Sequence, residues 1–347
     1  MFEAIDILPL TQKQAIAWQF LLAARNVHVK DGPHICGLTF DESRQEVVLV
    51  DADDSSTWLW LDAGGHWCCS VQLPRAVQTL FDLYLPVLGC VNDNLRVVAH
   101  LGQSLDSCIA TQSGDSFYVT GEENRKHLHC LRALSDGVIV GASTALADDP
   151  QLTTRAIPGN NPVRIIIDPM ARLPATLGVC CDAQVRTILL HQSSTDLTGK
   201  DMVFGPMLER TDDVPQPQVE RWVIPDTGEL MSPGAIVNYL GSRGMKRLFV
   251  EGGGVTVSRF FEDSALHRLH IAVAPLLVGQ GTKALQLAGA DAMKNAHRPP
   301  HAIYRMGKDI LWDFDIDVNE AASPEVQTSP CGTGSADWSL NAVERII

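Results

Sequence analysis

Hydrophobic and polar positions change period several times along the chain. Residues 15–24 carry apolar side chains at helical spacing, and EVVLV (46–50) and STWLWL (56–61) are short strand-like runs. From residue 93 onward, strand and helix signals alternate. LRVVAH (95–100), GVIVG (137–141), VRIIID (163–168), RTILLH (186–191), RWVIP (221–225) and KRLFV (246–250) read as buried strands. LHIAVAPLLVG (269–279) reads as another, and ILWDFDIDV (310–318) alternates with the period of a half-buried strand. Thr120, three residues before Glu123, predicts a capping box opening a helix over 120–134, with Leu128, Leu131 and Leu134 on one face. SPGAIVNYLGSRG (232–244) has a serine cap, a proline in the first turn and a closing glycine, so it is a second helix. LFVEGGGVTVSRFF (248–261) predicts a strand, a glycine turn and a helix from about Val255.

This pattern divides the chain into three zones. Residues 1–92 form a small α+β module, without recognisable chemistry, that serves packing or interaction. Residues 93–318 form an α/β domain. Residues 319–347, rich in Ser, Pro, Gly and Thr, read as a mobile tail with a short docking helix at its end.

Composition narrows the function. The 347 residues carry a formal net charge of −14, which argues against nucleic acid as a partner. It leaves room for a small anion held by a few local arginines. No uninterrupted apolar stretch approaches the roughly 20 residues needed to cross a bilayer, and MFEAIDILPLTQKQ lacks the marks of a signal peptide. The nine cysteines are an odd set without CxxC spacing, the pattern of free thiols in a reducing compartment. A cytoplasmic protein with no membrane partner is expected. The histidines are scattered, with His127 and His129 facing different ways on one helix, so no metal is expected.

Four stretches carry candidate chemistry. In LFVEGGG, Glu251 ends a strand where open α/β sheets place ligands, and Gly252, Gly253 and Gly254 let the backbone approach one closely. The helix that follows turns its first N–H groups toward an anion. The same segment also fits a plain tight turn. Gly279 and Gly281 follow the next strand, as a turn or as the far wall of a groove. GASTALADDPQLTTR (141–155) sets Thr144, Asp148, Asp149 and Arg155 directly after a buried strand; it reads as a loop-forming run or as a phosphate-binding one. LGQSLDSCIATQSGDSFYVTG (101–121) is polar and turn-rich, with Tyr118 placed to stack on a ring or to fill the core.

Taken in order, SLDSCIA (104–110), SGDSFYVTG (113–121), HCLRA (129–133), VIVGASTALADDPQLTTR (138–155), PVRIIID (162–168), LFVEGGG (248–254) and APLLVGQG (274–281) resemble the reductase domain of riboflavin-biosynthesis enzymes, the RibD C-terminal family. The resemblance covers most of residues 95–318. It implies a dihydrofolate-reductase-like mixed sheet flanked by helices, and an NADPH-dependent reductase. In that family hydride passes to the ribosylamino sugar of a phosphorylated 5-aminopyrimidinedione. By position, Ser116, Arg132, Leu152, Arg155 and Glu251 are then substrate contacts, the two arginines at the ribose phosphate. Gly102, Tyr118, Thr144, Asp148 and the run from Gly252 through Val255 and Thr256 to Arg259 are cofactor contacts, joined by Gly279 and Gly281. Glu251 and Asp148 are the candidate proton donors, an ordered water a third. The cofactor's 2′-phosphate falls near HQSS, after the strand ending at His191. A homodimer is expected.

The sequence departs from the family in three places. SLDSC stands where the family has SLDG followed by a basic residue, Tyr118 where it often has tryptophan, and residues 1–92 lack the zinc ligands of the family's deaminase partner. A bifunctional enzyme is therefore not expected. A related pterin or secondary-metabolite pyrimidine as substrate, and a non-catalytic pyridine-nucleotide-binding regulator, are the alternatives.

Overall fold

The computed structural model describes residues 12–26, 35–44, 46–62, 65–89, 95–116, 119–192, 218–224 and 231–316. Tyr118, the serines of HQSS and the tail from residue 317 lie outside the described residues.

The N-terminal zone begins with helix α1 (Gln12–Arg25) and a four-stranded antiparallel sheet. Its strands are β1 (Ile35–Asp41), β2 (Glu46–Val50), β3 (Leu59–Asp62) and β4 (Trp67–Cys69), in the order β2-β1-β3-β4. Helix α2 (Arg75–Leu88) closes this zone.

The main sheet then opens with β5 (Arg96–Ser104), followed by the short β6 (Cys108–Thr111) and helix α3 (Glu122–Leu134). Strand β7 (Gly137–Gly141), helix α4 (Ala142–Asp148), strand β8 (Val163–Ile167), the single-turn α5 (Gly178–Cys181), strands β9 (Thr187–Gln192) and β10 (Val219–Ile224) and helix α6 (Pro233–Ser242) come next. The chain returns as β11 (Arg247–Glu251), helix α7 (Gly254–Glu262), β12 (Arg268–Ala274), β13 (Gly281–Lys283), β14 (His301–Met306) and β15 (Asp309–Asp315).

Nine strands form one sheet, in the order β10-β9-β8-β7-β11-β5-β12-β15-β14. The seven from β10 to β12 are parallel to one another, and β15 joins antiparallel to β12. After β5 the chain steps outward through β7 to β10, then β11 fills the slot between β7 and β5 and β12 goes to the other side of β5. The direction of winding thus reverses around β5, and in such sheets ligands collect at the carboxyl ends of the strands beside the reversal. Those ends are Ser104, Gly141, Glu251 and Ala274.

Alternation sorts the strand residues into two cores. Val97, Ala99 and Leu101 of β5 pack with Leu248 and Val250 of β11 against α6 and α7. Val98 and Phe249 face the opposite way and share a core with Leu131 and Leu134 of α3. Trp18 and Leu21 of α1, and Leu80 and Tyr84 of α2, belong to this second core. The N-terminal helices therefore help cover one face of the main sheet. Trp18 Nε1 donates to the Pro158 carbonyl at 2.7 Å, and Arg247 Nε to the Leu88 carbonyl at 3.1 Å.

Four elements differ from the sequence reading. The run GASTALADD holds helix α4 rather than a loop. Helix α3 has no capping box: Gly121 is its cap residue, without a side-chain cap bond. Thr120 Oγ1 accepts from Asn124 Nδ2 at 2.9 Å, while the Gly121 amide donates to Asp309 Oδ2 at 2.6 Å. The strand expected over 269–279 ends at Ala274, because Pro275 lacks a donor and the amides beyond it turn to Asp106. Strand β14 carried no signal that the periodicity picked out.

Candidate active site

The face of the sheet under α3 carries a cross-strand row of ionisable side chains. Glu251 of β11 pairs in register with His100 of β5, His100 with His270 of β12, and His270 with Asp313 of β15. Helix α3 sets Arg132, Asn124 and His127 over this row. At its inner end the row is sealed. Tyr84 OH lies 2.8 Å from His127 Nδ1, and His127 Nε2 lies 3.0 Å from His270 Nδ1. His270 Nε2 is 3.1 Å from Asp313 Oδ1, off the line of a good hydrogen bond. Asp313 accepts a bidentate pair from Arg268 at 2.7 Å. His100 meets Asn124 Oδ1 at 2.9 Å. Burial holds the His127 ring well below the usual histidine range and pushes His100 down to about 3. Both are neutral members of a packed interior.

The other end of the row reaches the strand ends. Arg132 donates to both carboxylate oxygens of Glu251, through Nε at 2.7 Å and through Nη2, and its Nη1 reaches the Thr153 carbonyl at 3.0 Å. The Arg132 and Glu251 side chains are 8% and 16% exposed, so the pair sits at the rim rather than in solvent. Two residues expected to touch substrate independently are thus partners. A carboxylate held this way accepts hydrogen bonds and is poorly set up to give a proton.

The LTTR segment lies beside them. Leu152 takes a left-handed φ of 53° and buries its side chain to 1% exposure in the core, so of this expected substrate contact only the main chain is left to face a ligand. The segment is pinned by Arg164 Nε to the Gln151 carbonyl at 3.0 Å and by the Thr154 amide to Asn161 Oδ1 at 2.7 Å. Arg155 Nη1 is held by Thr153 Oγ1 at 2.8 Å, and its amide donates to His129 Nδ1 at 3.1 Å. Burial, and then the Arg132 guanidinium, lower the Arg155 pKa. Burial, Arg132 and Arg155 push the His129 ring down to about 4. Both shifts come first from burial and then from the neighbouring guanidiniums, with Glu251 opposing them.

On the other face, two strand-to-helix turns are stitched together. The Gly253 amide donates to Thr144 Oγ1 at 3.0 Å, and Thr256 Oγ1 stands 2.7 Å from where a Cβ on Gly141 would be. Val255 is 55% exposed at the first turn of α7. The expected glycines separate into two kinds. Gly254 is required by packing, since a Cβ would lie 1.7 Å from the Ala284 carbonyl oxygen; Gly281 likewise would clash with Ala110 O, at 2.3 Å. Gly102 makes room for Thr120. Gly279 is open to a ligand, with a φ of 83° and nothing within 4 Å of its missing Cβ, whereas a Cβ on Gly252 would touch Val140 at 3.5 Å and one on Gly253 would press on Thr144 Oγ1 at 3.0 Å.

Asp148, at the end of α4, accepts from Ser116 Oγ at 3.4 Å; its neighbour Asp149 instead holds the Gly178 amide at 2.8 Å from a left-handed backbone. Sequence reasoning took Asp106 only as one of several turn-forming polar residues. Its carboxylate accepts from Ser104 Oγ at 2.5 Å, from the Gly279 amide at 2.6 Å and from the Val278 amide at 3.1 Å, tying the β5–β6 turn to the loop after β12. These bonds lower its pKa strongly. Beside the SLDSC turn, where the family's basic residue is absent from the sequence, stands Lys283, whose Nζ lies 2.9 Å from Asp106 O and 3.5 Å from Cys108 Sγ. Among the described residues, no group of three or more His, Cys, Asp or Glu is placed to hold a metal ion.

The sequence pattern of the RibD C-terminal domain matches residues 96–311, well over half of the chain. The chain belongs to this family. It is 30% identical over 227 residues to the 2,5-diamino-6-ribosylamino-4(3H)-pyrimidinone 5′-phosphate reductase of Methanothermobacter thermautotrophicus, covering 63% of this chain and 97% of that one. It is 29% identical to the riboflavin biosynthesis protein RibD of Bacillus amyloliquefaciens, covering 60% of this chain and 53% of its relative. The chain therefore spans about half the length of that RibD protein. Among solved structures, Acinetobacter baumannii RibD superposes with a TM-score of 0.53 at 22% identity over 69% of this chain and 62% of that one, a likeness of fold. The match begins at β5 and leaves α1, α2 and the four-stranded sheet outside it. The relatives named as reductases make this RibD-family chain an oxidoreductase of the riboflavin-biosynthesis type.

Proposed function

We propose that the protein is an NADPH-dependent reductase of a ribosylamino-pyrimidine 5′-phosphate. The observation that carries the reading is the placement of Arg132 and Arg155 at the rim, Arg132 braced by Glu251 and the Thr153 carbonyl and Arg155 by Thr153 Oγ1, in a chain of net charge −14. Mutual repulsion of two cations is relieved by a dianion between them, and a ribose phosphate supplies one. Glu251 aims Arg132 and balances part of its charge.

The residues present fit a nicotinamide dinucleotide. Gly252 and Gly253 form the turn before α7, the helix start favours a pyrophosphate, and Gly279 borders the loop opposite with open space at its missing Cβ. Thr144 holds the Gly253 amide in place, and Ser116 with Asp148 would line the same groove. When bound, such a cofactor supplies the hydride. The chain's own residues seat the phosphate, orient the sugar and exclude water. The paired state of Glu251 favours Asp148 or an ordered water as the source of the proton. The free thiols of the described cysteines suit a reducing cytoplasm, and the proposal extends to a homodimer.

The test is turnover. Purified full-length protein is mixed with NADPH and either the diamino- or the amino-oxo-pyrimidine ribosylamino phosphate, and the product is analysed by mass. A two-electron reduction to the ribitylamino compound is expected; binding of NADPH without its oxidation would overturn the reading in favour of a regulator.

A further inference from the structure

His129 has an environment that nothing in the reaction so far uses. It lies on α3, two residues after the sealed His127 and three before Arg132, so its ring faces the rim while His127 faces Tyr84. Its Nδ1 receives the Arg155 amide at 3.1 Å. A backbone N–H only donates, so Nδ1 must offer a lone pair and the ring must be neutral with its proton on Nε2. Burial, and then the neighbouring guanidiniums, favour that state, pushing the ring's pKa down to about 4.

The bond falls at a place where the backbone needs fixing. Leu152 is left-handed, Thr153 gives its carbonyl to Arg132, and Thr154 gives its amide to Asn161. Arg155 follows on the exposed side of this loop, with its guanidinium hydrogen-bonded, among the described residues, to Gln151 and Thr153 of the same loop. Beside the bond from Arg132 to the Thr153 carbonyl, that from the Arg155 amide to His129 is thus a tie made at the second arginine itself to the helix that carries the first. We propose that His129 is a positioning residue: it registers Arg155 against Arg132 so that two guanidiniums on separate elements make one phosphate seat. The inference rests on the reading that this doublet receives the substrate phosphate.

The test uses the full-length protein with three substitutions. His129→Asn places Oδ1 where Nδ1 was and keeps the acceptor. His129→Gln moves the acceptor away, and His129→Phe removes it while keeping a ring. Losing one hydrogen bond of this kind raises the KM for the phosphorylated pyrimidine about tenfold. That rise is expected in the Gln and Phe variants, with the NADPH KM unchanged and near-normal behaviour in the Asn variant. Should Phe fail to fold, the Gln and Asn pair still decides. An Asn variant as impaired as Gln, or a Gln variant like the parent, overturns the inference. Arg155→Ala measured alongside separates the two levels. If it raises the substrate KM while Gln does not, only the role of His129 falls. If it leaves the KM unchanged, the phosphate reading falls and the inference with it.

Discussion

Helix α3 covers two polar clusters built from the same kinds of side chain, and they have opposite fates. At one end Tyr84, His127, His270, Asp313 and Arg268 close on one another and are sealed by α2 and β15. At the other, Arg132, Glu251, His129 and Arg155 stand at the strand ends, partly open to solvent. Both clusters contain histidine, arginine and a carboxylate. What separates them is closure. In the sealed cluster most donors and acceptors are used internally, His270 Nε2 excepted, and all five residues are buried, so it contributes order and no chemistry. In the open one an excess of positive charge is left for something that is not protein. A residue type alone therefore says little about function; its unspent bonding capacity says more.

The comparison breaks most visibly if the sealed end is cut. Arg268→Leu leaves the Asp313 carboxylate buried without its guanidinium, and a loss of about 3–5 kcal/mol in unfolding free energy is expected. Denaturant titration measures it, and the fraction that stays folded should keep its kcat. A fall in kcat without loss of stability would mean that the sealed cluster takes part in the reaction.

A smaller effect follows from pH. His100 and His127 have folded-state pKa values below the ordinary 6.5, so the unfolded chain takes up protons that the folded one refuses. Their contribution to stability is complete above 6.5 and is lost as pH falls below it, for His100 over the range down to about 3. In that range His100 adds a slope of about 1.4 kcal/mol per pH unit, and His127 acts in the same direction. Melting temperatures recorded between neutral and mildly acid pH should fall accordingly, and Tyr84→Phe, which leaves both rings in place, should preserve the slope while lowering the whole curve. A flat profile would show that the two rings take up protons in the folded state.

Much of this was legible beforehand. Unbroken apolar runs marked six of the parallel strands, and Ser232 with Pro233 marked α6, whose Ser232 Oγ accepts from the Ala235 amide at 3.2 Å. Helix α4 was hidden because Ala, Ser and Thr give a short segment no apolar stripe. The start of α3 was misread because the group that takes the Gly121 amide comes from Asp309, far away in sequence. The expectation of a module over residues 1–92 said nothing of what it packs against, because the apolar faces of α1 and α2 do not announce which surface they will cover; both share the core under α3.

The site shows the same limit. Arg132, Arg155, Glu251, Thr144 and Gly253 were visible as residue types after strands and turns. Their pairings were not, since Arg132 meets Glu251 across 119 positions and Gly253 meets Thr144 across 109. The roles of Asp106 and His129 went unread, Asp106 taken as one of several turn-forming polar residues and His129 only as a non-ligand, because each acts through a backbone amide of another segment, which leaves no pattern in the side chains.

The central claim is that the open cluster seats a phosphate in a reductase, and one measurement tests it directly. The ratio of kcat/KM for the ribosylamino-pyrimidine with and without its 5′-phosphate is compared in the parent protein and in Arg155→Ala. Charge-assisted bonds to a phosphate are worth roughly tenfold to a hundredfold, so the parent should prefer the phosphorylated compound by about that much and the variant should lose most of the preference. An Arg155→Ala enzyme that keeps the full preference would contradict the account.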